Sequence, residues 1–308
     1  MYRIASILVI IFLSLSSLRA QDTYFIPQTA EKILFLGNSI TYGGHYVNYL
    51  ESYLRLRNPE RKWDFVNVGL PSETVSGLSE EGHAGGKFPR PDLHERLDRI
   101  LEAVKPDFIF SCYGMNDGIY LPFDEGRFSA YKKGLEKLQQ KADQLDIPLL
   151  HLTPPVYDEK KDPAYANVLN IYSSWLMSKK YTAGWKVIDL HWPMQKFLED
   201  EREAHPDFLL AADGIHPGEQ GHWIMAKTLL KALGEQQGLE EKFPEPAFEG
   251  FYNGTEVLSL VREKQGITKD AWLSHIGHER PGMKVGMPLS TALSRSAALI
   301  AEIEKLLR

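Results

Sequence analysis

Ile33-Leu34-Phe35-Leu36-Gly37-Asn38-Ser39-Ile40-Thr41 opens as a brief hydrophobic strand and closes as a turn. A run of four apolar residues is too short for a helix and suits a strand in the middle of a sheet. Gly37 permits a tight turn, which would present Ser39 at the strand's carboxyl end with its own N–H facing the same way. Taken alone, a serine there is more simply a turn or helix N-cap residue.

Outward from this stretch, short apolar runs alternate with amphipathic ones. Tyr46, Tyr49, Leu50, Tyr53 and Leu54 follow at helical spacing, then residues 65–68 read as a second strand. Leu93, Leu97, Ile100, Leu101 and Val104 mark a helix that stops before Pro106, and residues 108–112 form a third strand. A helix lined by Phe128, Tyr131, Leu135, Leu138, Ala142 and Leu145 leads to a fourth strand over 147–152. Residues 165–177 are expected to be helical and 187–190 to give a fifth strand. The helix expected over 217–233 has proline at its start and Gly234 just past its end. Five strand–helix repeats imply an α/β fold, a parallel sheet with helices on both faces and reactive groups at the strands' carboxyl ends.

The chain's two ends read differently. Arg3, the apolar run over 7–15 and the small residues up to Ala20 have the layout of a secretory signal peptide over 1–20. That run is about half of the roughly 20 residues a membrane span needs, so an exported protein without stable membrane insertion is expected. The remaining chain would keep 33 basic against 41 acidic side chains, a net charge of −8 that does not suit nucleic acid. Cys112 is the only cysteine, which excludes an internal disulfide and a cysteine-built zinc site. The main domain is expected over 21–240. Residues 241–308 read as a C-terminal helical extension, entered through Phe243-Pro244-Glu245-Pro246, with helices over 255–265 and 290–307.

Four polar motifs could carry chemistry: Gly37-Asn38-Ser39, then Val66-Asn67-Val68-Gly69, then Tyr113-Gly114-Met115-Asn116-Asp117, and finally Asp213-Gly214-Ile215-His216-Pro217. Gly69 could leave an unobstructed backbone N–H, and Asn116 offers an uncharged amide donor suited to an oxyanion. In the last motif a three-residue separation lets Asp213 reach one imidazole nitrogen of His216 and leaves the other free as a base. Three motifs follow the first three strands, and the fourth supplies the missing base. No Gly-x-Ser-x-Gly elbow, dinucleotide fingerprint, phosphate loop or His-Glu-x-x-His helix is present.

These blocks resemble those of the SGNH (GDSL-like) hydrolases over roughly residues 31–234. The resemblance implies a three-layer, flavodoxin-like α/β/α fold. It also implies a serine esterase with Ser39, Asp213 and His216 as triad, an oxyanion hole from Ser39, Gly69 and Asn116, and no metal or organic cofactor. Where that family usually has Asp before the serine, this chain has Asn38, a change expected to tune the turn. Exported relatives with an appended tail are often acetyl esterases of plant polysaccharides, so an acetylated glycan is the expected substrate. A lysophospholipase or thioesterase, a transferase, and a non-catalytic glycan-binding protein remain open alternatives. The glycine-rich loop over 79–91 either borders the cleft, with substrate contacts from His83, Lys87 and Arg90, or is a mobile surface loop. Trp272 is expected either to lie over the cleft or to anchor the tail.

Overall fold

The computed structural model describes residues 24–308, so the expected signal peptide lies outside the described residues. Five parallel strands, β1 (Lys32–Gly37), β2 (Asp64–Asn67), β3 (Phe108–Cys112), β4 (Leu149–Leu152) and β5 (Lys186–Ile188), form one sheet in the order β2-β1-β3-β4-β5. The order reverses between β1 and β3, which pair from Ile33–Phe108 to Gly37–Cys112. A crevice opens at such a switch point, beyond the strands' carboxyl ends. Ser39 begins two residues after β1 and Asn116 four residues after β3, so topology alone brings them to that crevice.

Ile33, Leu34, Phe35 and Leu36 are fully buried because layers of helices cover both sides of the strand. Phe35 stacks on Phe65 and Phe110, at 5.9 and 4.9 Å, which joins β2, β1 and β3 through one aromatic row. One helical set comprises α2 (His45–Arg57), α6 (His191–Ala204) and α7 (Glu219–Ala232). The other is α3 (Leu93–Val104), α4 (Glu125–Gln144) and α5 (Pro163–Thr182), joined by contacts such as Tyr131 on Tyr172 at 4.3 Å. Side chains of Asp92, Asp124 and Asp162 cap the three helices of the second set, each accepting a first-turn N–H.

Several boundaries differ from those expected. Strand β4 starts at Leu149 because Pro148 has no N–H to donate to the ladder. Strand β5 ends at Ile188, since Thr153 Oγ1 takes the N–H groups of Leu190 and His191 and turns the chain into α6. Helix α7 begins at Glu219, leaving Pro217 outside it. The largest difference is in the extension: α9 (Gly254–Ile276) does not stop near Gln265 but continues for eleven more residues. It packs along α2 and the β2 edge. Its Leu258, Trp272, Leu273 and Ile276 join the same hydrophobic core as the sheet, while its Val257 and Val261 form a small separate cluster with Ile303. The short α8 (Pro244–Glu249) leads into it, and α10 (Leu289–Leu306) covers it outside. No helix among the described residues is long and apolar enough to cross a membrane.

Candidate active site

Helix α1 (Ser39–Gly43) starts at the expected nucleophile, Ser39, and Asn38 caps it by accepting the Ile40 N–H at 3.1 Å. Asparagine in place of aspartate therefore keeps the hydrogen bond of the turn. As the first residue of a helix, Ser39 has an N–H with no carbonyl four residues back to receive it.

The Ser39 hydroxyl lies 2.7 Å from His216 Nε2, and His216 Nδ1 lies 2.6 Å from Asp213 Oδ2. Asp213 Oδ1 accepts the N–H groups of Ile215 and His216, at 2.9 and 2.8 Å, so the carboxylate also shapes its own turn. Partial burial raises its pKa, but the hydrogen bonds from His216 and the backbone outweigh that and hold it at about 2. Gly214 supplies the turn with φ +83°, where a Cβ would stand 2.7 Å from Lys161 Cγ. Its carbonyl accepts the Asp158 N–H, and Asp158 is in turn held by Arg202 at 2.8 Å, so the loop is clamped from below. The side chains of His216 and Asp213 remain half exposed, at 50% and 52%, which leaves the pair open to a large substrate.

The second and third blocks meet through Asn116 and Asp117. Asn116 is 3% exposed; its Nδ2 donates to the Glu73 carbonyl at 3.0 Å and its Oδ1 accepts the Tyr120 hydroxyl at 2.9 Å. Those two bonds orient the amide and leave one of its two N–H groups uncommitted. Asp117, fully buried, ties the blocks together by accepting from Val75, Ser76 and Gly114 N–H groups at 2.8 to 2.9 Å.

Gly69 is placed differently from the expectation. Its N–H is donated to Asn67 Oδ1 at 2.9 Å, while Asn67 Nδ2 donates to the Thr41 carbonyl. A Cβ on Gly69 would stand 2.5 Å from Tyr42 N and 2.8 Å from Thr41 C, so glycine is required for the close approach of this loop to α1. Three residues on, Ser72 has φ +70°, a left-handed conformation unusual for a residue with a side chain. Its N–H has no hydrogen-bond acceptor among the described residues. Such local strain clusters at functional sites, and composition carries no trace of it.

The other expected contacts are redistributed. Trp272 is 5% exposed and packed in the core within α9, so it cannot serve as a platform over the cleft; it anchors the tail. Arg90 is also buried. Its guanidinium grips Glu80 at 2.6 and 2.7 Å and lies 5.2 Å above the Tyr120 ring, which makes it an anchor of the loop rather than a free hand for substrate. His83 shares the same Glu80 carboxylate at 3.1 Å, whereas Lys87 is exposed. The tail reaches the site by another route. The Tyr42 hydroxyl donates to Asp270 at 2.9 Å and the Lys269 ammonium to the Tyr42 carbonyl at 2.7 Å, so α9 braces the helix that carries Ser39. Burial, then the bond to Asp270, raises the Tyr42 phenol to about 12, so it stays a donor.

Comparison with known proteins agrees with this frame. The chain is 24% identical over 227 residues to an acetylxylan esterase of Geobacillus stearothermophilus, covering 67% of this chain and 95% of that one. The crystal structure of that species' acetylxylan esterase Axe2 superposes with a TM-score of 0.54 at 24% identity over the same shares. LAE5, an alpha/beta hydrolase from the metagenome of Lake Arreo, Spain, gives 0.53 at 25% identity, covering 66% of this chain and 95% of that one. A gut microbial diltiazem-metabolizing enzyme gives 0.59 at 23% identity over 70% of this chain, which spans only 49% of its length. Residues 35–224 match the GDSL-like Lipase/Acylhydrolase family, more than half of the chain, and this protein belongs to that family as a carboxylic ester hydrolase.

Proposed function

We propose that the protein is an exported serine esterase that removes small acyl groups, above all acetyl, from carbohydrate. The observation that carries the reading is the continuous relay from Ser39 through His216 to Asp213, with both bonds under 3 Å. In this scheme Ser39 Oγ attacks the ester carbonyl carbon and its proton passes to His216 Nε2. Asp213 holds the imidazolium without taking the proton. Collapse of the tetrahedral intermediate breaks the bond to the sugar oxygen, which leaves with the proton from His216. Water then attacks the acyl-Ser39 ester by the same route in reverse and releases acetate.

The oxyanion receives the Ser39 N–H and the uncommitted N–H of Asn116. For the third donor, Ser72 replaces Gly69, whose N–H is engaged by Asn67. Asn116→Ala is expected to lower kcat on an aryl acetate by about a hundredfold or more with little change in KM, because the donor acts on charge that develops only in the transition state. Equal kcat values in the two proteins would remove Asn116 from the donor set.

The acetylxylan esterase relative supports acetyl-sugar esters as the substrate class. So does the openness of the triad, since an ester displayed on a polymer must reach Ser39 without being engulfed. Tyr157, partly exposed and packed against Gly214, gives the cleft an aromatic face suited to a sugar ring. The layout over residues 1–20 supports export. The test is acetate release from acetylated xylan fragments, run beside aryl esters of increasing acyl length with Ser39→Ala protein as blank. Acetyl is expected to be preferred. A preference for octanoyl over acetyl would favour a lipid or thioester substrate on the same machinery.

A further inference from the structure

Next to the proposed oxyanion pocket lies a charge cluster that is separate from the Ser39–His216–Asp213 relay. Arg96 on α3 is 1% exposed and Glu73 is fully buried. Arg96 Nε donates to Glu73 Oε1 at 2.6 Å and Nη2 to Oε2 at 2.8 Å, a bidentate fork whose geometry admits little freedom. The Tyr113 hydroxyl donates to the same Oε2 at 2.6 Å. Arg96 Nη2 also donates to the Val68 carbonyl at 2.8 Å. Two charges in a dry site are costly to bury, and packing alone could be achieved with apolar side chains.

What this cluster holds is specific. The Glu73 carbonyl orients the Asn116 amide, and the Glu73 N–H closes a turn onto the Leu70 carbonyl at 3.1 Å. Ser72, with its unengaged N–H, sits inside that turn. One fork therefore fixes the residue that aims Asn116 and the turn that presents Ser72. The second bond, to Val68, pins the start of the same loop beside α1.

We propose that Arg96, through Glu73, is the positioning residue of the oxyanion pocket, setting the two donors that come from outside the nucleophile's own helix. The proposal rests on the donor set proposed above. An oxyanion pocket works by having its dipoles in place before charge develops, so a shift of a few tenths of an ångström lowers kcat while ground-state binding survives.

The test compares Arg96→Gln with the paired change Arg96→Gln/Glu73→Gln, which leaves no lone buried charge. Folding is checked by thermal melting. In folded protein, kcat on an aryl acetate is expected to fall about tenfold to a hundredfold, with KM within about twofold. The inhibition constant of a small alkylboronic acid, whose adduct with Ser39 places an anionic oxygen in the same pocket, is expected to weaken by a similar factor. A merely structural role would reduce the active fraction and leave that constant unmoved. Should neither variant fold, Tyr113→Phe, which deletes one bond to Glu73, is expected to weaken boronate binding measurably. Wild-type boronate affinity in whichever of these variants folds overturns the proposal. Undiminished hydrolysis by Ser39→Ala would instead overturn the esterase assignment of Ser39, and this proposal with it.

Discussion

Ser39→Ala is expected to lower kcat on an aryl acetate by about a millionfold, and Asp213→Asn by about ten-thousandfold. The two losses differ because the residues do different things. Without the Ser39 hydroxyl there is no acyl-enzyme, and only the pocket's donors remain to help water. Asparagine at 213 keeps the size and the bonds to the Ile215 and His216 N–H groups, but it presents an amide N–H to His216 Nδ1. The imidazole then carries its proton on Nε2, facing Ser39, and cannot act as a base. Steady-state rates and active-site titration with a chromogenic ester measure both effects. Because the hydrogen bonds from His216 and the backbone hold Asp213 at about 2, it stays ionised in mild acid, and its own protonation should leave no mark on the wild-type pH–rate profile there. Retention of more than about one per cent of activity by Ser39→Ala would mean another nucleophile does the work.

Asp213 and His216 were legible in the sequence because a fixed offset within a proline-terminated turn leaves few ways to arrange two side chains. Ser39 was legible because a strand end is a geometric landmark. Gly69 was not, since a glycine marks either an open N–H or a close approach, and only the position of Tyr42 N tells which. Ser72 adopts a glycine's backbone conformation without being glycine, a substitution invisible to pattern reading. Helix α6 leaves little signal in the sequence, because Met194 and Leu198 are its only buried aliphatic side chains, too few to make a stripe. The full length of α9 is hidden in the sequence because polar side chains are buried in it: Lys264 is fully shielded, and the helix runs on past the expected end at Gln265 through Trp272.

That buried lysine carries a large expected effect on stability. Lys264 Nζ meets Glu51 Oε1 at 2.9 Å, with both side chains fully shielded from water. Arg55 grips the same oxygen at 2.8 Å, and Gln265 Nε2 reaches the other at 2.6 Å. Lys264 and Gln265 also donate to the Phe65 carbonyl, at 3.2 and 3.0 Å, along the β2 edge. Lys264→Met leaves Glu51 with one cation where two had offset its desolvation, and is expected to cost about 3 to 5 kcal/mol. The sign of the pH dependence follows from Glu51. Burial raises its pKa, but Lys264 and then Arg55 bring it below the ordinary carboxylate value. In the wild type its contribution is therefore complete above that ordinary value and lost as pH falls through the depressed one. Without Lys264 the attraction weakens, burial gains ground, and protonation relieves the strain instead of adding to it. Urea unfolding should show a wild-type advantage that is greatest near neutrality and narrows in acid. A difference below about 1 kcal/mol at neutral pH would mean that water reaches Glu51, and that α9 is held to β2 by its apolar face alone.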